Sequence, residues 1–169
     1  MSTVTVSQCF NTDIDTVWAQ IADVTLVSNW HPSVDFADLL SRNATGIGAT
    51  RRCNFYDGTN VIEEVVSLNK KHYCFTLQIR EFKGPINRFD SHWKLHSTPS
   101  GATQLTIVMD YDMKLSILGA AMNVLMIKRN MAKRLNHVMD ALAHHLKTGE
   151  MINFDTQLIK DKRMNVDRV

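Results

Sequence analysis

A chain of 169 residues, 44% hydrophobic and 21% charged, has the size and composition of one globular domain with a single core. A net charge of +2, with Arg51-Arg52 and Lys70-Lys71 only as isolated pairs, is too small to argue for nucleic acid or an anionic membrane surface as a partner. Three widely spaced cysteines, Cys9, Cys53 and Cys74, without a C-x-x-C pattern, read as reduced thiols and favour the cytoplasm.

Residues 1–10 lack a basic segment followed by an apolar block, so no signal peptide is expected there. Their Val/Thr alternation predicts a strand over 3–10. A helix is predicted over 13–22, capped by Thr12 with Asp15 three residues on. Ile14, Val17, Trp18 and Ile21 recur at helical spacing and mark its buried face. A second short helix ends at Trp30-His31-Pro32, where the proline pushes His31 toward an extended backbone. The ordinary role of this turn is packing by Trp30, with His31 a solvated loop histidine.

Strand two is predicted over 33–40, followed by the loop Gly46-Ile47-Gly48. Runs 49–56 and 60–68 form a hairpin across Asp57-Gly58, a strong hairpin-turn dipeptide. Over 73–80, Tyr73, Phe75, Leu77 and Ile79 share one face. Gly84-Pro85 breaks the chain. Over 88–97, Phe89, Trp93 and Leu95 oppose Asp90, His92, Lys94 and His96. After the turn Pro99-Ser100-Gly101, residues 103–113 put Leu105, Ile107, Met109, Tyr111 and Met113 in phase. These runs describe a meander with one wet and one apolar face.

A long helix is predicted over 115–147, with Leu118, Met122, Leu125, Leu135, Val138, Met139, Leu142 and Leu146 near one stripe. Lys128, Arg129, Lys133, Arg134 and Lys147 occupy its second half, where cations suit the helix dipole. Its apolar start, 115–127, falls short of the roughly 20 residues of a membrane span. Gly149 is the expected stop, dividing a domain over 1–148 from a tail over 149–169. One such helix cannot bury its apolar side alone, and a sheet with one apolar face needs a cover. Wrapping the sheet around the helix satisfies both and leaves room for a cavity.

Asp13-x-x-x-Val17-Trp18-x-x-Ile21-Ala22-Asp23, Trp30-His31-Pro32, Gly48-Ala49-Thr50-Arg51 and Asp57-Gly58-x-x-x-Ile62-Glu63-Glu64-Val65, in this order, resemble a known family. It is the polyketide cyclase/dehydrase and lipid-transport family of the START-like, Bet v 1-like (SRPBCC) superfamily, and the resemblance runs over 3–147. It implies an α+β helix-grip fold: about seven antiparallel strands wrapped around the long C-terminal helix, with two short helices after the first strand. It also implies that Gly84-Pro85 and the Asp57-Gly58 hairpin border the mouth of a cavity.

By the same resemblance the cavity is lined by Val34, Phe36, Arg51, Cys53, Phe55, Val61, Glu63, Val65, Phe75, Leu77, Phe89, Ser91, Trp93, Met109 and Tyr111, with Met122, Leu125, Met126 and Met139 from the helix. The implied function is binding of a hydrophobic or amphipathic small molecule such as a lipid, an isoprenoid or an aromatic polyketide. Two alternatives stay open. One is a cyclase/dehydrase-type enzyme using Glu63, Arg51 and Tyr111 to polarise a carbonyl and move a proton. The other is a chaperone-activator-like interaction domain using the cationic half of the last helix and the tail.

Arg51 and Glu63 read equally well as a salt bridge across the hairpin, and a register slip of one would bring in Glu64 instead. No cofactor is expected. The iron site of the superfamily's ring hydroxylases has no counterpart, and adjacent His144-His145 point to different sides of a helix and read as solvated. Cys53 has no base beside it in sequence, so a nucleophilic role is not expected. A second copy of the chain is left open as a partner.

Overall fold

Valine-, threonine- and aromatic-rich runs become seven strands: β1 (Ser2–Phe10), β2 (Val34–Leu39), β3 (Thr50–Phe55), β4 (Asn60–Asn69), β5 (Cys74–Glu81), β6 (Ile86–Ser97) and β7 (Thr103–Met113). The computed structural model describes residues 2–81, 86–113 and 120–152, with 81, 86, 87, 113 and 120–125 described by backbone alone. The strands form one antiparallel sheet in the order β1-β7-β6-β5-β4-β3-β2. Helices α1 (Ile14–Ala22) and α2 (Val27–Trp30), joined by a 3-10 turn at Val24–Leu26, carry the chain from one edge strand, β1, to the other, β2. Helix α3 (Ala120–Thr148) has 29 residues and is therefore about 43 Å long. This is the expected helix-grip arrangement.

The sheet's two faces follow the period-two pattern. Val4, Val6, Trp93, Leu95, Leu105 and Ile107 are buried on the inner face, packed with Leu135, Met139 and Leu142 of α3. The outer face is laced by hydrogen bonds. Gln78, Asp90, Asp110 and Thr3 lie in register across β5, β6, β7 and β1. Gln78 Nε2 donates to Asp90 (2.9 Å), Arg88 Nε donates to the other oxygen of Asp90 (2.6 Å), and Thr3 Oγ1 donates to Asp110 (2.6 Å). Asp90, on the wet face by pattern, is buried there because Gln78 and Arg88 fold over it.

Three local details depart from the sequence reading. Asp13, not Thr12, caps α1: its carboxylate accepts the Thr16 N–H (2.9 Å) and hydroxyl (2.6 Å), while the Thr12 carbonyl accepts from Thr103 Oγ1 (2.7 Å). Strand β5 begins at Cys74 because Tyr73 sits in the left-handed region at φ 47°. That conformation costs a non-glycine residue about 1 kcal/mol. The Tyr73 hydroxyl donating to Asp15 on α1 (2.6 Å) and its edge-on contact with Trp18 (5.5 Å) hold it there.

The third detail is the end of α3. Gly149, at φ 71°, donates its N–H to the His145 carbonyl (2.8 Å), a left-handed C-cap. The turn folds Glu150 back over the helix end. Its carbonyl oxygen lies 2.7 Å from His145 Nδ1 and its carboxylate 2.9 Å from His144 Nε2. His145 is therefore buried rather than solvated. The Ile152 N–H then donates to the Asn29 carbonyl of α2 (2.9 Å), and the Ile152 side chain is buried. Packed chain thus continues past Thr148 as far as Ile152; residues 153–169 lie outside the described part. Ile152→Ala is expected to cost about 2–4 kcal/mol in urea denaturation. A loss under about 0.5 kcal/mol, typical of surface substitutions, would show that this segment is not part of the core.

Candidate functional site

The Asp57-Gly58 turn sets the register of β3 on β4. Gly58 takes φ 79°, and Asp57 accepts the Thr59 N–H and hydroxyl at 2.9 and 2.6 Å. Asn54 then pairs with Asn60, and counting outward brings Arg51 opposite Glu63. Both face inward. Arg51 Nε and NH2 each lie 2.6 Å from Glu63 Oε2, and Arg51 NH1 donates to the Val24 carbonyl (3.0 Å) in the turn between α1 and α2. Cys53 Sγ is 3.5 Å from the same Oε2. The Arg51 side chain is 5% exposed and that of Glu63 16%. Glu64 points outward and pairs with Arg80 (2.8 Å).

Burial alone would raise the Glu63 carboxyl's pKa, but the Arg51 charge and hydrogen bonds outweigh it and hold the group below its usual value. Burial, reinforced by the Glu63 charge, pushes the Cys53 thiol far above its usual range, so it is no nucleophile. His31 joins this cluster, which the sequence did not indicate. Half-buried between the rings of Trp30 (6.0 Å) and Phe55 (6.4 Å), it is brought down to about 4. Burial is the main cause; Arg51 and His137 add to it and Glu63 opposes it. Its Nδ1 accepts the Ser33 N–H (3.2 Å), which assigns the proton of the neutral ring to Nε2. The one available signal was its place just before β2, whose first residue, Val34, pairs with Phe55.

The inward row that holds Arg51 and Glu63 continues across the sheet. Glu63 opposes Ile79 on β5, and Phe89, one step beyond the Gln78–Asp90 pair, opposes Tyr111 on β7. Tyr111 is 1% exposed, and among the described residues its hydroxyl has no hydrogen-bond partner. An unmade bond of this kind costs about 1–3 kcal/mol. Beside this row lies Leu77–Ser91–Met109, and beyond it Phe75–Trp93–Ile107. Ser91 is occupied by the Trp93 indole N–H (2.7 Å), and Phe75 stacks on Trp93 (5.5 Å) between Trp18 and Trp30.

Val34, Val61, Val65 and Met139 are buried in the same interior, with Phe55, Phe89 and Met109 half-buried against it. Two expected lining residues are not in it. Phe36 is 52% exposed, because a bulge between Val34 and Phe36 reverses the strand's parity. Ala37, opposite Cys53, takes the inward position and packs against the core, while Leu39, opposite Arg51 near the strand's end, is 40% exposed. Met126 is 60% exposed on α3, and the side chains of Met122 and Leu125, like Gly84-Pro85, lie outside the described part. Among the described residues no group of three or more His, Cys, Asp or Glu is arranged to hold a metal ion, and no helix is long and apolar enough to cross a membrane.

The sequence matches the family described as polyketide cyclase / dehydrase and lipid transport over residues 1–147. The fold is similar to the di-domain ARO/CYC BexL of the BE-7585A biosynthetic pathway (TM-score 0.74, 14% identity), covering 87% of this chain and 47% of that one. It is similar to a START superfamily protein from Mycobacterium smegmatis (TM-score 0.68, 14% identity; 86% and 97% covered). It is also similar to Ara h 8.0201 (TM-score 0.68, 10% identity; 87% and 98% covered). At such identities the likeness is one of fold. No curated protein matches the sequence.

Proposed function

The chain belongs to the polyketide cyclase/dehydrase and lipid transport family, and from that premise we propose that it binds a hydrophobic or amphipathic small molecule between the inner face of the sheet and α3. The ligand is of the lipid, isoprenoid or aromatic polyketide kind. The observation that carries this reading is the Tyr111 hydroxyl, buried in an apolar interior and without a partner among the described residues. Apolar walls supply affinity, and a few convergent polar groups fix orientation. Tyr111 and the Arg51–Glu63 pair, on one inward row, are those groups.

Cyclase/dehydrase chemistry is the second reading, and the same hydroxyl favours it as the one uncommitted proton donor among the candidates. It ranks behind binding because Arg51 holds the Glu63 pKa down and so makes it a weak base, and Cys53 is held as a thiol.

Native mass spectrometry of the protein from a cellular host, followed by solvent extraction, tests the proposal. A discrete hydrophobic mass bound to the chain is expected. A protein that arrives empty and stays empty against a panel of lipids and aromatics would overturn it. Tyr111→Phe adds a sharper result. The empty variant is expected to match the parent or exceed it by up to about 1 kcal/mol, since an unpaired hydroxyl is removed, while ligand retention falls about fivefold to tenfold. Unchanged retention would take Tyr111 out of the site.

A further inference from the structure

Arg51 looks at first like a ready anchor for an acidic ligand, such as a fatty acid. The geometry says otherwise. Every nitrogen of its guanidinium is committed: Nε and NH2 to Glu63 Oε2, NH1 to the Val24 carbonyl. The cation is neutralised by a carboxylate 2.6 Å away, inside the protein. A second carboxylate brought to this place would lose its hydration and find no unspent charge, while facing Glu63 as a like charge.

The acceptor side is different. Among the described residues, the bonds to the Glu63 carboxylate converge on Oε2 from Arg51 and Cys53. A carboxylate accepts through both oxygens, so Oε1 keeps its capacity for a donor. At the other end of the row the Tyr111 hydroxyl is buried and, among the described residues, unpartnered, and a phenol can both donate and accept. His31, half-buried beside the pair between Trp30 and Phe55, is kept neutral near pH 7 and adds no fixed charge. The site thus offers an unspent acceptor and an ambivalent hydroxyl, while the Arg51 cation beside them is already paired.

We propose that the interior takes an uncharged ligand bearing hydroxyl groups, an alcohol, phenol or enol, and discriminates against the carboxylate of the same skeleton. This rests on the ligand-binding reading above and narrows it. One hydroxyl donates to Glu63, and an oxygen further along an apolar skeleton meets Tyr111.

The test is displacement of Nile red, an uncharged fluorescent reporter, from the full chain near neutral pH. The competitors are hexadecanol against palmitate, and naphthol against naphthoate. Each alcohol or phenol is expected to displace the dye at a concentration at least about tenfold below its acid, a difference of about 1.4 kcal/mol. Equal or better displacement by the acids, with the dye bound, would overturn the preference and leave the ligand-binding reading standing. Failure of the dye and of all four competitors to bind would overturn that reading and the preference with it. Glu63→Gln frees the Arg51 charge and is expected to shift the ratio toward the acids by about tenfold. A folded variant with an unchanged ratio would separate the preference from this pair. The parent's own ratio decides the matter if the variant does not fold.

Discussion

Glu63→Ala is expected to destabilise the protein by about 3–5 kcal/mol, the scale of breaking a buried ion pair by removing one partner. Arg51 is almost fully buried, and no other carboxylate is bonded to it among the described residues. Truncating Glu63 therefore leaves a buried guanidinium without its carboxylate, with the Val24 carbonyl still bonded. The loss has a structural reach as well. Through that carbonyl, Arg51 ties the hairpin β3–β4 to the turn between α1 and α2, so a displaced Arg51 loosens the helices from the sheet. The double variant Arg51→Met/Glu63→Leu removes both charges at similar volume. It is expected to fall within about 1 kcal/mol of the parent or above it, because the desolvation of two charges is relieved together. Urea denaturation at neutral pH measures both. A cost under about 1 kcal/mol for Glu63→Ala would mean that the pair behaves as a hydrated surface bridge, and the charge argument for ligand choice would fall with it.

Why this pair was legible in the sequence, and other parts of the site were not, follows from how far each depends on local pattern. Strands β5, β6 and β7 alternate cleanly, so their faces could be read residue by residue. Asp57-Gly58 fixes its turn by local chemistry, and counting outward from it puts Arg51 opposite Glu63 with no tertiary information. Phe36 fails for the opposite reason. Val34-Asp35-Phe36 alternates perfectly, and only the pairing of Val34 with Phe55 and Phe36 with Asn54 creates the bulge that turns Phe36 outward. Sequence period cannot register an extra residue that the partner strand defines.

His31 and His145 show a second limit. Each is unremarkable in its local context, a loop histidine and a helix-end histidine. His31 is half-buried by what stands opposite it: Trp30, Phe55 and the charges of Arg51 and Glu63. His145 is buried because Gly149 reverses the chain and places Glu150 on its ring. The Gly149 stop was readable, but the path of the chain after it was not. Tyr111 lies between these cases. Its inward face followed from alternation, whereas the lack of a partner for its hydroxyl among the described residues emerged only from the packed interior.

His31 also sets the second large expected effect: stability should drop by about 2 kcal/mol as the pH is lowered from about 6.5 to about 4. In the unfolded chain the imidazole takes up its proton near pH 6.5. In the folded protein it resists until about 4, burial being the first cause. Between those values the unfolded state binds more protons than the folded one, so stability rises with pH across the window, is complete above it, and is lost on the way down. At about 1.4 kcal/mol per pH unit the gap bounds the effect at about 3.5 kcal/mol, and the ring's partial exposure lowers it to about 2. Glu63 acts with the same sign in a different window. Its lowered folded value makes its contribution complete above the ordinary carboxylate range and lost only below it. The two separate experimentally. His31→Gln should flatten the profile between pH 6.5 and 4 and leave the more acidic fall in place. Parallel profiles for parent and variant across that window would show that His31 titrates as a hydrated group. The electroneutral site would then gain a charge within the physiological range, and its preference for uncharged ligands would weaken as the pH falls.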